Sequence, residues 1–150
     1  MSTHAHSAAV TTALLDAAVL VEQAGVGGLM VTCYDGHACI SVPRQCGDAR
    51  ARAALVAALA LQAGAAGCRR RDYGGTHGPA AWLEATAQAG ATGIEITTHL
   101  DVTAVPGGAL ATGPDGQQDV IPAGQRLPDR WRWVTDLDDD NPCQQVAVVA

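Results

Sequence analysis

His37 and Cys39, two residues apart, are the first pair in this sequence whose types could do chemistry. A thiolate attacks when an imidazole within hydrogen-bond reach takes its proton, a third group orients the imidazole, and donors hold the developing oxyanion. On one extended strand, residues i and i+2 stand side by side, and the sequence supplies no third group and no oxyanion hole. A Cys/His-centred enzyme therefore ranks third among the functional readings, and no catalytic residue is assigned.

Metal binding would need His37, Cys39, His77 and His99, with Cys46 or Cys68, to converge on one face. Structural zinc sites announce themselves by close ligand pairs such as C-x₂₋₄-C or H-x₃₋₅-H. Here the close pairs are only His37-x-Cys39 and His4-x-His6, so neither a metal nor a cofactor is expected. The Asp136–Asp140 run lacks the Gly and Glu offsets of an EF-hand loop.

Arg69-Arg70-Arg71 is the densest charge cluster and the basis of the second reading, an anion- or small-molecule-binding module. Guanidinium forks suit phosphate and carboxylate. The plainer roles for such a run are a strand edge guarded by charge or a dock for Asp136–Asp140. No P-loop, GxGxxG or helix-turn-helix pattern accompanies it.

The fourth group is aromatic and mixed. Trp82, Met30, Tyr34, His37, Thr97 and His99 fall on one predicted sheet face, and large apolar side chains exposed on a sheet mark protein interfaces. The first reading follows: a non-catalytic protein-binding or assembly module. Its candidate binding residues are Tyr34, His37, Trp82 and His99, with Arg69, Arg70 and Arg71 as the alternative. The expected partner is another protein or a second copy of the chain.

These residues must be positioned by a hairpin that feeds a helix. Asp35-Gly36 suits a two-residue type I′ turn, because both central positions need positive φ. Such a loop sets the pairing as Tyr34 with His37, Cys33 with Ala38, Thr32 with Cys39, Val31 with Ile40, and Met30 with Ser41. Alternation then puts Leu29, Val31, Cys33, Ala38, Ile40 and Val42 on a core face and Met30, Thr32, Tyr34, His37, Cys39 and Ser41 on an outer one.

Residues 1–6 read as a loose start. A helix follows from Ser7 or Thr11 to Ala24, with Val10, Leu14, Ala17 or Ala18, and Val21 as its apolar stripe and Gly25 as its C′ residue. The second helix is capped by Asp48, carries Leu55, Val56 and Leu59 as its buried stripe, exposes Arg50 and Arg52, and ends at Gly64. Residues 80–88 suit a helix by Pro79 and Gly90 but alternate like a strand, with Ala81, Leu83, Ala85 and Ala87 opposite Trp82, Glu84, Thr86 and Gln88. The strand is favoured because Ile94–Leu100 is its natural partner, with Ile94, Ile96, Thr98 and Leu100 facing inward.

This predicts an α+β fold: two helices packed on one face of a four- to five-stranded antiparallel sheet, in α-β-β-α-β-β order, within a core domain over residues 1–101. Residues 102–150 read as an extended β-rich appendage, rich in Gly and Pro, that packs on the core or on a partner. Its expected strands are Ala109–Thr112, Gln118–Ile121, Trp131–Thr135 and Val146–Val149, with an acidic loop at Asp136–Asn141.

Composition bounds the partners. All nine basic residues are Arg, which with the Ala and Gly load points to a GC-rich coding sequence such as a bacterium's or a phage's. The net charge of −6 argues against nucleic acid, whose binding requires a basic surface. Six Arg against Asp48 over residues 44–71 face eight acids against three Arg over residues 101–150, so the two stretches should attract each other. Five Cys without a CxxC pair, no secretory apolar run and no membrane-length segment predict a cytoplasmic protein with reduced thiols.

Overall fold

The computed structural model describes residues 3–25, 27–34 and 36–137, and the side chains of residues 3–7 are not among what it describes. Asp35, the Asp138–Asn141 part of the acidic loop, Cys143 and the strand expected at Val146–Val149 lie outside that range. Among the described residues the fold is α+β, with two α-helices and a mostly antiparallel, mixed sheet of five strands.

Helix α1 spans Thr3–Ala24, so it begins within the stretch expected to be a loose start and ahead of the expected Ser7 or Thr11, and Gly25 follows it at φ +66°. Strands β1 (Met30–Tyr34) and β2 (His37–Ser41) form the predicted hairpin in the predicted register, from Tyr34↔His37 to Met30↔Ser41. Gly36, at φ +69°, takes the turn conformation that other residues avoid. A 3₁₀ turn at Arg44–Cys46 leads to α2, Ala49–Gln62. Asp48 caps α2 by accepting from the Ala51 backbone N–H at 2.8 Å, and Gly64 closes it at φ +76°.

Strands β3 (Cys68–Tyr73), β4 (Ala80–Ala89) and β5 (Thr92–Leu100) form an antiparallel meander. The 80–88 stretch is thus a strand, because β5 and β3 offer it partners on both sides. The sheet order is β1-β2-β5-β4-β3. The all-antiparallel expectation needs correction, since β2 and β5 run parallel, Ile40 beside Ile96. Helix α2 carries the chain across one face to the far edge, and the meander returns β5 to the middle. The core between helices and sheet holds Ile40, Val56, Leu59, Leu83, Ile96 and Leu100.

Two expected core faces differ. In α1 the buried residues are Ala13, Ala17 and Leu20, whereas Leu14 is 51% exposed. Of the expected stripe, Ala17 is buried and Val21 packs against the core, whereas Leu14 is turned aside; the small Ala13 and Ala17 let the helix lie close on the sheet. In the hairpin only the β2 half of the core face is buried, as β1 is an edge strand and Val31 is 36% exposed.

Beyond Asp101 a smaller sheet forms from β6 (Ala104–Val105), β7 (Gly108–Thr112), β8 (Gln118–Pro122) and β9 (Arg132–Trp133). Strand β7 pairs with each of the other three, and Val102 bridges Thr135. Gly113 and Gly116 close the turn between β7 and β8 with a 3.0 Å backbone hydrogen bond.

Candidate functional site

The alternation of β3 splits the arginine cluster. Arg69 and Arg71 lie on the outer face in register with Glu84 and Trp82, whereas Arg70 is in register with the core residue Leu83. Glu84, nearly buried, receives Arg69 Nε at 3.2 Å and Arg71 Nε at 2.6 Å. Arg71 also donates to the Tyr73 hydroxyl at 3.0 Å; that hydrogen bond first, and Glu84 second, hold its guanidinium above the ordinary arginine value. Arg70 donates to Asp72 at 2.9 Å and to the Trp133 carbonyl. Each of the three arginines therefore has a carboxylate of its own sheet, and the three do not converge on one ligand position.

The aromatic candidates form two clusters on the outer face. At one end the His37 imidazole lies over Gly93, its Nδ1 3.2 Å from the Gly93 carbonyl oxygen, with the Tyr34 ring 5.5 Å away at 61°. A Cβ on Gly93 would come within 2.5 Å of the imidazole, so a side chain there would push His37 aside. At the other end Trp82 meets His99 edge to face, centroids 4.8 Å apart. His99 Nδ1 accepts from Arg44 at 3.3 Å, and Arg44 also pairs with Asp101. The six residues from Gly93 to His99 put about 20 Å between the clusters at the rise of a strand.

Cys39 lies between them, its sulfur 3.9 Å from the Ser41 hydroxyl. Its partner is Ser41 and that of His37 is Gly93, so the thiol and the imidazole do not engage each other. Among the described residues, no three His, Cys, Asp or Glu side chains are placed to hold a metal ion. A pocket of about 80 Å³ between β3–β4 and the smaller sheet, lined by Gly75, Gly108, Ile121 and Trp133, is far below the roughly 300–1,000 Å³ of small-molecule sites.

Residues 102–137 do not cover the outer face. They meet the β3 end of the sheet from the helix side: Asp72, in register with the core residue Ala81, accepts from the Trp133 backbone N–H at 3.1 Å, and the indole N–H donates to the Tyr73 carbonyl at 2.7 Å. The second link is Arg52, which the sequence placed on the solvated side of α2. It is 2% exposed, donates to the His99 carbonyl at 2.7 Å and to the Thr98 hydroxyl at 3.3 Å, and pairs with Asp136. Its spacing from Val56 and Leu59 (i+4 and i+7) carried the signal that it belongs to their stripe.

The two sheet edges contrast. Edge strand β3 carries Arg69, Arg70, Arg71 and Asp72 and is closed by Trp133. Edge strand β1, Met-Val-Thr-Cys-Tyr, carries no charge and no proline, the usual devices against edge pairing. Met30, Val31 and Tyr34 on it are exposed, and so is Leu14 of α1, the helix that rests on it.

No protein family matches the chain, and neither a curated protein nor a solved structure shows significant similarity to it. No helix among the described residues is long and apolar enough to cross a membrane.

Proposed function

We propose that this chain is a non-catalytic protein-binding or assembly module that works through its β1–α1 edge. The observation that carries this reading is the contrast between an edge closed by charge and by Trp133 and an edge that, among the described residues, is left open, uncharged and apolar. A strand with free backbone groups gives affinity through main-chain hydrogen bonds, and adjacent apolar side chains give specificity. On this reading residues 1–101 form the binding core, and residues 102–150 are an extension whose described part closes the opposite edge.

The test is a photo-crosslinking amino acid placed at position 31 on the open edge, or at position 71 on the outer face beside the closed one, in the cell that makes the protein. Protein adducts should form from position 31 and not from position 71. Equal labelling at both, or none from position 31, overturns the reading.

A further inference from the structure

Arg71 and Glu84 anchor each other and still keep a polar atom apiece to spare. Arg71 Nε lies 2.6 Å from Glu84 Oε1, and Arg71 Nη1 donates to the Tyr73 hydroxyl. Arg69 Nε reaches the same Oε1 at 3.2 Å. Among the described residues, neither Arg71 Nη2 nor Glu84 Oε2 has a hydrogen-bond partner. Oε2 is not sealed from solvent, although the Glu84 side chain is only 9% exposed. A free donor and a free acceptor therefore sit together on two side chains that are already fixed.

Trp82 stands beside them. It is in register with Arg71, about 5 Å away across the strands, and two residues from Glu84, about 7 Å along β4. Its ring meets His99 edge to face at 82°, and part of the indole stays open to solvent. Tyr73, on the outer face of β3, is also exposed. Both helices pack on the opposite face, against Ile40, Leu83 and Ile96, so among the described residues no helix covers this one.

We infer that this corner of the outer face binds a neutral, gluco-configured oligosaccharide, with one ring on Trp82 and two adjacent hydroxyls shared between Arg71 and Glu84. Each hydroxyl of a sugar both donates and accepts. A vicinal pair asks for one donor and one acceptor set next to each other, and Arg71 Nη2 with Glu84 Oε2 is such a set. A ring whose hydroxyls are all equatorial keeps its two faces for C–H bonds, whose partial positive charge suits the electron-rich face of an indole. Because Tyr73, Glu84 and Arg69 already hold the polar groups, little side-chain freedom is lost on binding.

Charge decides against other ligand classes. Arg44, Arg69 and Arg71, on this face and its rim, are matched by Glu84, Glu95 and Asp101. A phosphate or a nucleic acid finds no uncompensated cation here, and its binding depends on such cations. A cationic ligand would meet the Arg71 guanidinium beside the acceptor. The site lies away from the β1–α1 edge and stands or falls independently of the protein-binding reading.

Titrating the full chain with cellohexaose and with maltohexaose, while following its N–H resonances, tests this. The expected result is saturable binding of at least one, with the largest shifts at the Trp82 indole N–H and the Glu84 amide. Arg71→Met keeps the aliphatic stem and leaves Glu84 its Arg69. That variant and Trp82→Ala should each weaken binding about tenfold or more, whereas Gln88→Ala, at the far end of β4, should leave it unchanged. Added salt should not alter the affinity, since no net charge is neutralised. The shift map is read on the unsubstituted protein, so it decides the matter even where a variant folds poorly. A protein that binds neither sugar overturns the inference. So do shifts centred elsewhere, binding that survives both substitutions, and a site that inorganic phosphate fills instead.

Discussion

Arg52 and Asp136, 84 positions apart, form an ion pair at 3.3 Å in which one side chain is 3% exposed and the other 35%. The same guanidinium holds Thr98 and the His99 carbonyl, and the Asp136 carboxylate also accepts from the Asp101 backbone N–H at 2.8 Å. One buried cation thus joins the start of α2, the end of β5 and the segment that follows β9.

The two partners should differ in what their loss costs. Arg52→Ala orphans the His99 carbonyl and leaves a void on the Val56–Leu59 stripe, for a loss of about 3 kcal/mol in urea unfolding. Asp136→Asn keeps the shape, and the site's partial exposure lets water compensate, so about 1 kcal/mol is expected. Equal losses would mean that the pair, rather than the buried guanidinium, is what matters.

Position along β3 sets the worth of each arginine. Arg70, 12% exposed, holds Asp72 and the Trp133 carbonyl, so Arg70→Ala leaves a buried carboxylate short of its cation and should cost about 2–3 kcal/mol. Arg69, 64% exposed, shares Glu84 with Arg71, and Arg69→Ala should cost under about 1 kcal/mol. Thermal unfolding of the two variants side by side checks the order.

Hairpin register, both glycine helix ends and the Asp48 cap were legible in the sequence, because each depends on residues adjacent along the chain. The Val31–Ile40 and Thr32–Cys39 pairs follow from loop length alone. The parallel pairing of β2 with β5 was not legible, since strand order depends on where α2 lands. The α1 stripe was misplaced in part for a related reason: Ala17 is in the core and Val21 packs against it as expected, but Leu14 is exposed and Ala13 and Leu20 take the buried places, because the small Ala13 allows a close approach that periodicity of bulky residues does not register. Of the candidate site, the sheet faces of Tyr34, His37, Trp82 and His99 could be read from alternation. Their separation into two clusters could not, because it depends on the register of β5 against both neighbours.

Gly108 tests the smaller sheet. A Cβ there would lie 2.0 Å from the Ile121 carbonyl oxygen, which is backbone and has no side-chain torsion to relieve the clash. Gly108→Ala should separate β7 from β8 locally, cost about 2 kcal/mol or more, and speed exchange of the Ala109 amide, which the strand's alternation turns toward Ile121 of β8. Gly113 offers the contrast: the atoms a Cβ would meet there belong to the Gln117 and Trp131 side chains, which can shift where backbone cannot, so Gly113→Ala should cost less.

Trp133 reports whether that sheet stays on the core. It is buried, and its indole N–H donates to the Tyr73 carbonyl at the charged edge. Trp133→Phe keeps most of the apolar area but leaves the carbonyl without its donor, for an expected loss of about 1–3 kcal/mol. The protein's emission should also shift to the red, because the tryptophans left are Trp82 on the outer face and Trp131, both more exposed than Trp133. Urea should move the native emission of the unsubstituted protein in the same direction and in step with the loss of helical circular dichroism, since Arg52 and Arg70 bind the two sheets into one unit. A red shift that precedes the loss of helix would show instead that the smaller sheet lifts off first.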